Sequence, residues 1–77
     1  MATAQSGVTG TVTVTLKGAE EDQTFRLLKT AWRHGWHTDV QLREDGCEID
    51  IYVAGKLGTA HRGLQELQDV LSAIRDE

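Results

Sequence analysis

Residues 37–54 alternate apolar and polar positions about an Asp45-Gly46 pair, a pattern that specifies a β-hairpin with one dry and one wet face. Asp-Gly suits a two-residue turn because both central positions take positive φ there and the turn then matches the twist of the strands. The register that follows sets Val40 opposite Ile51 and Leu42 opposite Ile49, all pointing inward. Gln41 then meets Asp50, and Arg43 meets Glu48, on the outward side. Tyr52 also falls outward, opposite Asp39. A sheet with one wet face must be covered from the other side only, and this constrains the rest of the chain.

Residues 8–16 read V-T-G-T-V-T-V-T-L. Val8, Val12, Val14 and Leu16 share one parity and the threonines share the other, so this is a half-buried strand. Gly10 weakens it or marks a bulge. In residues 20–34, Phe25, Leu28 and Trp32 recur at helical spacing, flanked by Leu27 and Ala31. Glu20, Glu21 and Asp22 suit the first turn of that helix, and Arg33 and His34 the last. Gly35 suits its left-handed stop. Trp32 is expected in the core, while Trp36 either covers the helix end or lines a pocket. A glycine-rich link over 55–59 leads to a second helix, with Thr59 as its cap. From Ala60 to about residue 76, Ala60, Leu64, Leu67, Leu71 and Ile74 form a narrow stripe. The stripe is too short to favour a coiled-coil seam, so it is expected to pack on the sheet.

These elements assemble into an α+β, βαββα two-layer sandwich. The three-stranded sheet has the order 1-3-2, and two helices cover one face. Right-handed crossover and the wet outer face leave this as the simplest solution. It resembles ferredoxin-like topology lacking the last strand. One domain spans 8–77, behind a flexible segment 1–7. The first strand is left as an exposed edge.

A chain of 77 residues has a thin core, burying only about 60% of its unfolded surface. Partner subunits are a common remedy at this size, whereas Cys47, the single cysteine, cannot form an internal disulfide. The net charge of −4 argues against nonspecific nucleic-acid binding. The segment 1–7 lacks the basic and apolar regions of a signal peptide, and no apolar run is long enough to span a membrane. A soluble, cytoplasmic protein is the expectation.

Chemistry-bearing residues gather by topology at one end of the domain: His34, Trp36, His37, Lys56, Thr59, His61 and Arg62, with Gly55, Gly58 and Gly63. A helix N-terminus flanked by cations and glycines suits a small anionic ligand. The G-x-x-x-x-G-K-[ST] phosphate loop is absent. Three histidines without a further ligand make a poor metal site, so neither metal nor cofactor is expected. Asp39, Glu48 and Asp50 share the solvated sheet face, which lacks the burial that tunes catalytic carboxylates. Cys47 has no cation placed to activate it.

The leading functional expectation is a non-enzymatic interaction module, a homodimer or an accessory subunit. It would pair through the uncharged first-strand edge, at Val8, Thr11, Val12, Thr13, Val14 and Thr15. The alternative is a protein that binds, or acts on, a small anionic ligand at the histidine- and glycine-rich end. A third reading takes Arg26, Lys29 and Arg33 as an RNA-contacting stripe.

Overall fold

The computed structural model describes residues 7–18 and 21–76. Five elements follow one another: β1 (Gly7–Lys17), α1 (Glu21–Arg33), β2 (His37–Arg43), β3 (Gly46–Lys56) and α2 (Leu57–Arg75). The flexible segment expected over 1–7 lies outside the described residues except for Gly7, which opens β1. Glu20, expected in the first helical turn, also lies outside them.

The sheet has the order β1-β3-β2, with both outer strands antiparallel to β3. Strand parity in β1 and β3 follows the residue pattern. Val12, Val14 and Leu16 pair with Ile51, Ile49 and Cys47, and Thr11, Thr13 and Thr15 with Tyr52, Asp50 and Glu48. The first set faces the helices, where Ile49 and Ile51 lose all solvent contact. The second set faces outward, where the Thr13 hydroxyl donates to Asp50 Oδ1 at 2.8 Å. Leu27, Leu28 and Ala31 of α1 and Ala60, Leu67 and Ile74 of α2 complete the core.

The hairpin differs from its sequence pattern in register. Val40 pairs with Ile49, Gln41 with Glu48, Leu42 with Cys47 and Arg43 with Gly46, while Tyr52 meets His37 rather than Asp39. The turn is therefore Glu44-Asp45, and neither residue has positive φ. Gly46 is needed inside β3 instead. It pairs with Lys17, and a Cβ there would overlap the Leu16 carbonyl. The Gly18 amide donates to the Asp45 carbonyl at 2.6 Å and ties the turn to the end of β1. A slip of two residues keeps every side chain on its expected face.

Burial departs further. Val40 and Leu42, expected inside, are 38% and 86% exposed. β2 is an edge strand; α2 packs over β3 and β1, while α1 packs against α2 and along β2 without covering Val40 and Leu42. Trp32, expected in the core, is 47% exposed, and Phe25 beside it is 51% exposed. The face of α1 that meets α2 and the sheet runs through Leu27, Leu28, Thr30 and Ala31 instead. Thr30 is tolerated there because its hydroxyl donates to the Arg26 carbonyl at 3.0 Å.

At the far end, β3 runs directly into α2 with no intervening link. Thr59 is consequently a first-turn residue, and Lys56 takes the N-cap position without a side-chain bond. Leu64 is half out of the core, and Gly63 occupies the buried position in its place.

Candidate functional site

Gly35 organises the end anticipated from the sequence. Its φ of 76° stops α1, its amide donates to the Trp32 carbonyl at 2.9 Å, and the Trp36 amide donates to the Ala31 carbonyl at 3.2 Å. This paired closure turns the chain back onto the core. Trp36 is thereby buried, and its indole N–H donates to the Ala54 carbonyl at 2.9 Å. His34 stacks on the Trp36 ring at 5.1 Å between centroids. Its Nε2–H donates to Glu66 Oε2 at 3.0 Å, joining the end of α1 to α2. That hydrogen bond holds the Glu66 carboxyl below the ordinary glutamate range, and the charges of His34, Arg33 and Arg62 act in the same direction.

The seven candidate ligand residues are divided among several surroundings. His34 and Trp36 form the latch just described, with their polar atoms engaged. His37 projects from the wet face of the sheet, opposite Tyr52. His61 lines a groove of about 280 Å³ between β1 and α2, together with Val8, Val12, Leu57 and Leu64. Lys56, Thr59 and Arg62 are exposed about the start of α2. Among the described residues, no three His, Cys, Asp or Glu side chains converge as a metal site. Of the expected basic stripe, Lys29 lies over the Phe25 ring at 5.4 Å and Arg33 reaches the Thr30 hydroxyl at 3.5 Å.

Cys47 is buried with its sulfur 3.8 Å from the Thr24 hydroxyl.

The most exposed apolar surface lies elsewhere, along α1 and β2. Phe25 and Trp32 meet edge to face at 5.8 Å, and the Trp32 indole donates to the Thr38 hydroxyl of β2 at 2.9 Å. Val40 and Leu42 follow Thr38 on the same face of β2. Leu42 and Phe25 also line a cavity of about 560 Å³ with Leu28 and Cys47 as its floor and Glu21 and Asp22 at its rim. Four large apolar side chains thus lie on or beside a strand that, among the described residues, is paired on one side only. Sequence periodicity missed this surface because it assigned all four residues to the core. The available signal was that β2 is an outer strand in the order 1-3-2, where cover by two helices is incomplete.

The α1–β2 region presents open apolar area beside a strand edge that no described strand covers. Comparison with protein-family models, with curated proteins and with solved structures finds no match. No helix among the described residues is long and apolar enough to cross a membrane.

Proposed function

We propose that this chain is a non-enzymatic interaction module that docks through a free sheet edge, as a homodimer or as an accessory subunit. The observation that carries the reading is the joint exposure of Phe25, Trp32, Val40 and Leu42 beside the unpaired side of β2. Contiguous exposed apolar area next to an unpaired edge is characteristic of a docking surface. A buried free thiol at Cys47 accords with a cytoplasmic setting.

β1 supplies a second edge that no described strand covers, at Val8, Thr11, Val12, Thr13, Val14 and Thr15. Its inner residues Val14 and Leu16 are already buried in the single chain and Val8 and Val12 are half-buried, whereas Val40 and Leu42 on the same face of β2 are both exposed. The β2 edge therefore has the stronger claim. A small anionic ligand at the start of α2 has weaker support, because His34 and Trp36 are committed to Glu66 and Ala54.

Thermal melting over a wide concentration range tests the homodimer form of this reading. A melting temperature that rises with concentration supports it, since association stabilises the folded chain by mass action. A melt independent of concentration contradicts it.

A further inference from the structure

We propose that the occupant of the α1–β2 surface is a second copy of this chain, joined by antiparallel pairing of β2 with β2 about a two-fold axis at Gln41. The proposal rests on the interaction reading above and names its partner. β2 pairs with β3 on one side and with no described strand on the other. A two-fold axis normal to the sheet keeps both helix layers on one side, so residues facing each other across it share a face.

Few registers satisfy that condition, and charge separates them. With the axis at Gln41, Asp39 meets Arg43 and Val40 meets Leu42, each pair occurring twice by symmetry. His37 also falls opposite Asp45, just beyond the strand. With the axis at Val40, His37 meets Arg43 and Thr38 meets Leu42. With the axis at Asp39 the two Asp39 side chains meet each other, and at Leu42 each Asp39 meets Asp45. Opposite charges and apolar pairs directly across a ladder are favourable, whereas like charges there are not. Gln41 is the centre that satisfies both faces at once.

The single chain is prepared for this pairing. Asp39 lies opposite Asp50 within its own sheet, a like-charge pair. Among the described residues, ion pairs join His34 to Glu66 and Arg43 to Glu48 and leave Asp39 out. Arg43 is held on the outer face by Gln41 at 3.3 Å and Glu48 at 3.2 Å, yet stays half-exposed. Its position is the one that Asp39 of a second copy meets. On the helix side, Leu42 exchanges solvent for Val40 of the other copy, with Phe25 and Trp32 flanking the junction. The product is a six-stranded sheet carrying four helices on one face.

Charge exchange tests the register. In a homodimer, Asp39→Arg sets arginines against each other and Arg43→Asp sets aspartates against each other. Each variant alone should associate at least about tenfold more weakly than the native chain. An equimolar mixture of the two should recover dimer, because both 39–43 pairs are then opposite in charge, and the doubly exchanged chain should dimerise by itself. Sedimentation equilibrium reads association, and circular dichroism verifies that each variant is folded. Folded single variants whose mixture stays monomeric would overturn the proposal. A native dimer that both single variants retain would also overturn it, moving the interface elsewhere and leaving the interaction module standing. A native chain that is monomeric at high concentration would remove both this pairing and the homodimer reading.

Discussion

The ring of Trp36 lies against the backbone of Gly63 with no room for a side chain between them. This close approach lets α2 settle onto the end of α1, where the His34–Glu66 bond completes the joint. Gly63→Ala should therefore destabilise the fold. Overpacking against a buried ring costs about 1–3 kcal/mol, which outweighs the gain of roughly 1 kcal/mol in helix propensity. Gly58→Ala is the control. Nothing lies within 4 Å of its added Cβ, so propensity acts unopposed and stability should rise by up to about 1 kcal/mol. Urea unfolding of the two variants measures both effects, and equal signs would contradict this packing.

That joint marks a boundary of what the residues alone reveal. Strand parity in β1 and β3, the strand order and the stop at Gly35 follow from alternation, crossover handedness and backbone freedom, all of which are local or topological. Helix rotation does not. Phe25 and Trp32 repeat at helical spacing as well as Leu27 and Ala31 do, and only the arrival of α2 decides which set is buried. The hairpin register is similarly underdetermined, because a slip of two residues leaves every face unchanged. Gly46 resembles a turn residue in the sequence, while its need for bare backbone arises from β1, some thirty positions away. Of the candidate site, His34 and Trp36 were recognisable as neighbours, but Glu66, the partner of His34 across the helix pair, carried no local signal.

Acidification should weaken the joint between the helices. Because Glu66 titrates below an ordinary glutamate in the folded chain, the unfolded chain takes up the proton first as pH falls. This share of stability is fully present above the ordinary glutamate range and is lost as pH drops through the lowered value. Glu66→Gln should flatten that part of the profile in acid-range urea titrations. A profile as steep as the native one would contradict the assigned role.

Exposure of Leu42 separates it sharply from its apolar neighbours on β3. At concentrations low enough to keep the chain monomeric, Leu42→Ser should change stability by no more than about 0.5 kcal/mol. Ile49→Ala, at a site without solvent contact, should cost about 2–5 kcal/mol. Comparable losses at the two positions would place Leu42 in the core of the single chain.

Trp32 reports on the apolar surface without any substitution. It is half-exposed in the single chain, whereas Trp36 is buried. Raising the concentration should shift the indole emission to the blue and reduce quenching by acrylamide as the Trp32 surface is covered. Emission unchanged across the association range would place the covered surface away from α1 and β2.

The most direct test of association through the β2 edge is sedimentation equilibrium of the native chain beside Leu42→Asp over a concentration series. The account predicts a monomer–dimer equilibrium for the native chain. For the variant it predicts a folded monomer, because a carboxylate facing Val40 of a second copy is buried without a partner. A native chain that remains monomeric throughout, or a Leu42→Asp chain that dimerises as readily as the native one, would contradict it.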